Sequence, residues 1–192
     1  RIGVEGGERH GRTFSLAVWA KASGGAVPAD VIAAELALPA EDPLITCALF
    51  EAEGVRCLYA QEPHKAVEAL DTALEIARKA GIDNDWVAPI PAWLQTSLRH
   101  CDEGATSAAD RSSWLARARK LMPQTLKAAR KFPTNLPHAL REHAQLLFLD
   151  GNAQKAFQVL EQSLLVADQQ GARYEHALTL LARGAHRTRL GA

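Results

Sequence analysis

Apolar residues recur every three or four positions along most of this chain, and that spacing is typical of amphipathic α-helices. The pattern is strong over four segments and continues into a fifth: Leu44–Ala60, Pro63–Ala80, Pro137–Leu149, Ala153–Gln170 and Ala172–Leu190. It is weaker in four others: Thr13–Ala22, Pro28–Leu38, Trp86–Cys101 and Ser112–Lys131. No segment alternates apolar and polar residues with period two over a useful length. The pattern therefore predicts an all-α protein of about eight to nine helices with no sheet.

Glycine, proline and polar residues divide the chain into three predicted regions. Residues 1–12 are rich in glycine and mixed in charge, which predicts a linker or loop. Residues 13–43 predict a weakly marked helical pair that serves as a repeat or a cap. Residues 44–192 predict an array of helical repeats with a polar insertion at 102–110, and we expect Pro123 to kink the helix that contains it.

An internal repeat links two parts of the chain, since residues 54–81 match residues 144–171 at a shift of ninety positions. Each matched pair sets a small residue on a small one or a large apolar residue on another: Gly54 with Ala144, Ala66 with Ala156, Leu70 with Leu160, Ala73 with Ser163, Ala77 with Ala167 and Gly81 with Gly171. Two helices can approach closely only where small side chains face each other, and large apolar side chains fill the remaining gaps. The match therefore predicts two helix pairs that pack in the same way.

These small and large positions resemble those of the tetratricopeptide repeat. The turn glycine of that family matches Gly151, whereas Gln61 stands at that place in the earlier copy. The family's tryptophan is replaced by Phe50 or Leu140, its closing proline is absent, and a spacing of forty residues separates Gly151 from Gly191. The resemblance implies a tetratricopeptide-like α-solenoid of antiparallel helical hairpins. It is also similar to the helical-repeat regions of bacterial multidomain signalling ATPases, kinases and cyclases.

The resemblance further implies a concave surface lined by the first helix of each hairpin. The residues of this chain that correspond to that groove are Ala48, Glu51, Val55, Leu58 and Tyr59, and then His138, Arg141, Gln145, Phe148 and Leu149. The family members that grip a peptide carboxylate use basic residues and asparagine in this groove. Glu51 and Val55 cannot do that and Arg141 stands alone, so chaperone-tail binding is not expected. The mixed groove suits a protein or peptide, including another domain of the same chain. Packing of its apolar part against neighbouring helices explains the same residues at least as well.

A basic segment offers an alternative function. Seven Lys and Arg residues fall between positions 111 and 131 with no Asp or Glu among them. Four of them lie near a common face of a helix: Arg117, Lys120, Lys127 and Lys131. A basic amphipathic helix can bind an anionic ligand or nucleic acid. A solvated outer helix in a neutral chain explains the same pattern, and nucleic-acid binding is the less favoured interpretation.

Motifs for catalysis or metal binding are not found in the sequence. The seven histidines form no HExxH pair, the three cysteines form no CxxC pair, and the glycines near the amino terminus lack the strand and the GxxxxGK motif of a phosphate loop. Cys57 falls at a position that is normally buried, where a thiol behaves as a small hydrophobe. We therefore expect no enzymatic activity, no metal and no cofactor.

Composition indicates which partners and which cellular compartment to expect. Lys plus Arg and Asp plus Glu are both 22, so the formal charge is zero and the chain has no global attraction to nucleic acid or anionic membranes. The apolar runs are too short to span a bilayer, and three cysteines suit reduced thiols, so we expect a cytoplasmic protein that binds no membrane. The first residue is Arg1 and the last residues look like the middle of a repeat, which suggests a piece of a longer polypeptide.

The favoured hypothesis is a non-catalytic protein-interaction or regulatory scaffold within a larger bacterial signalling protein of the ATPase or kinase type. The partner is expected to be a protein or peptide, including another domain of the same chain. A free-standing peptide-binding adaptor and an anionic-ligand or nucleic-acid binder acting through residues 111–131 are the alternatives.

Overall fold

The structure is a computed structural model that describes the backbone of residues 2–39 and 42–191, and the side chains of residues 11–39 and 42–191. Within these residues the chain forms nine α-helices and one short 3₁₀ turn, with no strand. The helices are α1 (Ile2–Ala22), α2 (Ala29–Leu36), α3 (Pro43–Tyr59), α4 (Pro63–Lys79), α5 (Ile90–Gly104), α6 (Ala108–Lys131), α7 (Leu136–Leu149), α8 (Ala153–Gln169) and α9 (Arg173–Leu190). The predicted all-α class is therefore confirmed.

The first helix differs most from the sequence prediction. α1 begins at Ile2, so the expected linker over residues 1–12 is wrong from that residue onward, and Arg1 lies outside the described residues. Each glycine weakens a helix by about 1 kcal/mol relative to alanine, but it keeps the backbone N–H and C=O that form the helical hydrogen bonds. The glycines therefore weaken the helix propensity of this segment, but they do not prevent the helix from forming.

Two helix starts also shift, each for a local reason. α5 begins at Ile90 and not at Trp86, because the Asn84 side chain accepts hydrogen bonds from the backbone N–H groups of Trp86 and Val87 and holds a turn there. α6 begins at Ala108, four residues before the predicted start, because the Ser107 hydroxyl accepts the Asp110 backbone N–H. The predicted insertion at 102–110 is therefore helical at both ends. α6 continues through Pro123.

The chain divides into two compact units, Arg1–Trp114 and Leu115–Ala192, and the boundary falls inside α6. In the first unit, α1, α2, α4 and α5 all pack against α3, and α4 also packs against α5. In the second unit, α7, α8 and α9 pack against one another. The sequence did not predict this boundary, and the expected division at residue 43 stays a prediction.

Small residues lie where helices approach closely. An added Cβ at Gly54 of α3 would lie only 2.5 Å from Cγ of Leu70 on α4, so glycine is required for this approach. In the second unit, Ala144 of α7 and Leu160 of α8 belong to one buried cluster with Ala156. Leu70 and Leu160 are both fully buried. Leu70 and Leu160 thus take equivalent places in the two cores.

The connection between α3 and α4 has the same hydrogen bonds as the connection between α7 and α8. In the first connection, the backbone N–H of residue 60 donates to the carbonyl of 56, that of 61 to 58, that of 62 to 57 and that of 66 to 62. In the second connection, the N–H of 150 donates to the carbonyl of 146, that of 151 to 148, that of 152 to 147 and that of 156 to 152. The carboxyl ends of α4 and α8 match in the same way. The backbone N–H of Ile82 donates to the carbonyl of Ala77, and the backbone N–H of Ala172 donates to the carbonyl of Ala167. Every one of these bonds repeats at a shift of ninety residues.

The turn itself requires a left-handed backbone conformation. Gln61 has φ +62° and Gly151 has φ +76°. Glycine takes this conformation without strain, whereas a residue with a Cβ is penalised. The replacement of the turn glycine by Gln61 therefore leaves the geometry unchanged and adds strain to the first copy.

Among the residues that the structure describes, no helix has both the length and the apolar character that crossing a membrane demands.

Candidate binding surfaces

The groove positions expected on α3 are largely covered by neighbouring helices. Glu51 and Val55 are fully buried. Both carboxylate oxygens of Glu51 accept hydrogen bonds from Nζ of Lys21 on α1, at 3.1 and 3.2 Å. Burial raises the pKa of Glu51, while the charge and the hydrogen bonds of Lys21 oppose that rise. A ligand on the surface cannot reach these two side chains in this arrangement, which corrects the expectation for Glu51 and Val55.

Tyr59 is the exception on α3, since its side chain is partly exposed. It packs beside the glycines that follow α1, because an added Cβ at Gly25 would lie 2.7 Å from the Tyr59 Cβ. The ring centroid of Trp93 on α5 lies 6.4 Å away. Tyr59 therefore combines a packing role with an accessible edge.

Most of the corresponding positions on α7 are buried or partly buried, and α9 contacts several of them, whereas Leu149 is exposed. His138 and Arg141 are buried, and the Arg141 guanidinium pairs with Glu175 and also donates to the Thr179 hydroxyl at 3.4 Å. Thr179 in turn shares a 3.0 Å hydrogen bond with Ser163 of α8. This network of polar side chains joins all three helices of the second unit. Arg141 therefore serves internal packing and is not free to grip a peptide carboxylate.

Gln145 and Phe148 are partly buried, and His186 of α9 contacts both of them. Nε2 of His186 lies 2.6 Å from Oε1 of Gln145, and its ring stacks on Phe148 with centroids 3.6 Å apart. Phe148 also meets the edge of Phe157 on α8. The structure thus brings Arg141, Gln145 and Phe148 together on one face, and that face is the contact with α9.

The expected basic patch lies within the second unit. Lys120, Lys127 and Lys131 are exposed, whereas Arg117 is half-buried. Nζ of Lys131 lies 5.1 Å from the centroid of the Phe132 ring. The three lysines are therefore accessible to an anion, as the sequence predicts for a solvated helix, and whether they bind one stays a prediction.

Sequence reasoning missed a pocket between α6 and α7. Its cavity measures about 440 Å³. It is lined on one side by Arg119, Met122, Pro123, Leu126 and Arg130, and on the other by His143, Leu146, Leu147 and Asp150. Both sets follow three- and four-residue spacing, which in the sequence cannot be distinguished from an ordinary core-facing stripe. The signal that was present is the pair of arginines at the ends of an apolar stripe on α6.

The two ends of this pocket differ in charge. At one end Arg119 pairs with Asp150, and both side chains are partly exposed. At the other end stand Arg130 and His143. Burial lowers the pKa of His143, and the nearby charges of Lys155 and Arg130 lower it further. The first end is therefore electrically balanced and the second is cationic.

The cysteines are in environments that suppress thiolate formation or access. Burial, with a smaller contribution from Glu51, raises the pKa of Cys47 to about 11, and burial together with Glu53 raises the pKa of Cys57 to about 12. Cys101 lies 3.7 Å from Nδ1 of His64, a contact that the sequence does not predict, but its sulfur belongs to a fully buried residue. An external substrate therefore cannot reach the Cys101 thiol, although His64 itself is exposed.

In the described part of the chain, no three His, Cys, Asp or Glu side chains converge to hold an ion. Comparison of the chain with protein-family models, with curated proteins and with solved structures finds no match.

Proposed function

We propose that this chain is a tetratricopeptide-like array of antiparallel helical hairpins that acts as a non-catalytic protein-interaction scaffold. In this proposal it belongs to a larger bacterial signalling protein of the ATPase or kinase type, and the partner is another protein or another domain of the same chain.

The observation that carries the proposal is the agreement of the two copies at a shift of ninety residues. Cys47 donates from its thiol to the Ala73 carbonyl, and at the shifted positions the Ser163 hydroxyl donates to the Pro137 carbonyl. Positions 47 and 73 of the first copy thus meet as positions 137 and 163 of the second copy do. The donor is on the first helix in one copy and on the second helix in the other. Repeats that conserve contacts while their chemistry varies are typical of stacked helical arrays.

α9 has two features of the first helix of a further hairpin. Gly184 stands forty residues after Ala144, and Gly191 stands forty residues after Gly151. Gly191 again has a left-handed backbone, with φ +73°, and its N–H donates to the carbonyl three residues earlier as in Gly151. Unlike Gly54, Gly184 has open space where a Cβ would point. Within the described part of the chain, the side of α9 at Gly184 therefore has no close neighbour, unlike the corresponding side of α3.

Exposed apolar side chains support an interaction surface at this place. Leu181 is 69% exposed and Leu165 of α8 is 58% exposed. Tyr174, Leu180 and Leu190 of α9 are also exposed. Large apolar side chains grouped on one surface commonly mark a protein contact. We assign the scaffold's contact to the exposed side of α9, which we call the α9 face, defined by Tyr174, Leu180 and Leu181.

Site-specific photo-crosslinking tests the proposal in the parent protein in its own cells. A benzoylphenylalanine at Leu181 should crosslink to protein, either within the parent chain or in another chain. The same group at Lys79, which is exposed on α4, serves as the matched control. Protein crosslinks from position 181 that do not exceed those from position 79 would contradict the proposal.

A further inference from the structure

The pocket between α6 and α7 has an ordered arrangement of charge and apolar surface. On α6 its residues follow one helix face from Arg119 to Arg130, eleven positions apart, which is about 16 Å along the axis at 1.5 Å per residue. The Arg119–Asp150 ion pair joins the two helices at one end. Arg130 and His143 stand at the other end.

The apolar middle of the pocket is part of the second unit's folded core. Leu126 and Leu147 pack against the buried cluster that contains Ala144 and Leu160. Met122 is buried, and together with Leu146 it completes an apolar lining. A cavity of about 440 Å³ falls within the range of small-molecule sites, roughly 300–1,000 Å³. Leu126 and Leu147 therefore hold their places through packing against the core, without a ligand.

Among the residues that the structure describes, Asp150 is the one acidic residue that lines the pocket, and it is engaged by Arg119 at the opposite end. In the described part of the chain, no ion pair involves Arg130. Lys155 adds a further positive charge near His143. An anionic group at this end would gain charge-assisted hydrogen bonds and relieve repulsion among the cations.

We propose that this pocket binds a small amphipathic carboxylate, with its apolar body along Met122, Leu126 and Leu147 and its carboxylate at the end formed by Arg130 and His143. The proposal is independent of the scaffold function, because the α9 face is a different surface. The bound carboxylate would also favour protonated His143 and raise the pKa of that side chain.

Nuclear magnetic resonance of the full 192-residue chain tests the proposal with three probes that share one alkyl chain: decanoate, decanol and decyltrimethylammonium. Decanoate should give saturable amide shifts confined to residues 119–130 and 143–150. Decanol should bind at least ~10-fold more weakly, as expected from the loss of a hydrogen bond to a charged group. The cation should give no saturable shift, and decanoate should raise the titration midpoint of His143.

Two variants with the same charge change separate the site from its surroundings. Arg130→Gln should weaken decanoate binding by roughly tenfold. Lys127→Gln, an exposed residue of the same helix outside the pocket lining, should leave binding unchanged. Equal binding of the cation, no saturable shift with decanoate, or an equal effect of the two variants would overturn the proposal. Tighter binding of the peptide Gly-Ser-Leu-Leu with a free carboxyl terminus would overturn the small-molecule assignment.

Discussion

Replacing Gly54 by alanine tests the close approach of α3 and α4. In an exposed helix interior this change stabilises by about 1 kcal/mol, because alanine has the higher helix propensity. At Gly54 the new Cβ would lie 2.5 Å from Cγ and 2.9 Å from Cδ2 of Leu70, so one of the two helices must move. Overpacking of this kind costs about 1–3 kcal/mol. The net expectation is a destabilisation of about 0–2 kcal/mol.

Gly11 provides a matched control in the same unit. It lies within α1, and no atom of the residues that the structure describes comes within 4 Å of an added Cβ there. Gly11→Ala should therefore stabilise by up to about 1 kcal/mol, the opposite sign from Gly54→Ala. All four tryptophans fall before residue 115, so tryptophan fluorescence during urea unfolding follows the first unit alone. The two variants can thus be compared in one assay.

A double-mutant cycle with Leu70→Ala identifies the cause. Leu70→Ala alone should cost about 2–5 kcal/mol, because Leu70 is fully buried. In that background Gly54→Ala should become neutral or stabilising, which gives a coupling energy of about 1–3 kcal/mol. A Gly54→Ala variant that gains as much stability as Gly11→Ala would refute the close approach. A coupling energy near zero would show that Leu70 is not the neighbour that glycine accommodates.

Three further predictions concern the turns and the buried charges. Gln61→Gly should stabilise the first unit by about 0.5–1 kcal/mol, because glycine takes the left-handed conformation without strain. Gly151→Gln should destabilise the second unit by a similar amount. Circular-dichroism unfolding measures both changes in stability, and two changes of the same sign would contradict this prediction. Arg141→Met should cost about 1–3 kcal/mol in urea unfolding, because it leaves the partly exposed Glu175 without its partner. Adding Glu175→Leu should recover most of this loss. A single variant as stable as the wild type would show that the ion pair is dispensable. Because burial raises the pKa of folded Glu51 above its ordinary value near 4.5, the carboxyl's favourable contribution is present below that pH and is lost as pH rises through the folded pKa. Glu51→Gln should therefore gain stability relative to the wild type as pH rises from ~4.5 towards neutrality, and a constant difference in urea unfolding would count against this.

The helices could be predicted because their local signals agree. Pro63 begins α4, and Gly81 and Gly171 follow α4 and α8 in the left-handed conformation that the sequence leads one to expect. The ninety-residue match likewise indicated which small residues would be buried, and Ala66, Ala156 and Gly54 are. Spacing and residue size carry this information within one element and its immediate neighbour.

The burial of Glu51 and Arg141 could not be predicted in the same way. Whether Glu51 faces a ligand or Lys21 depends on which helix packs over α3, and these two residues are thirty positions apart. In the same way, whether Arg141 faces a ligand or Glu175 depends on which helix packs over α7. A charged residue on a first helix gives no local sign of whether its partner is internal. Sequence alone therefore identified the positions but not what covers them.

A crystal structure of the chain tests the central claim most directly, because the claim is that one helical unit occurs twice. We expect residues 43–81 to superimpose on residues 133–171 more closely at a shift of ninety than at any other shift, with Leu70 against Gly54 and Leu160 against Ala144. A better superposition at a different shift, or α8 packed on α7 in another register, would contradict the account.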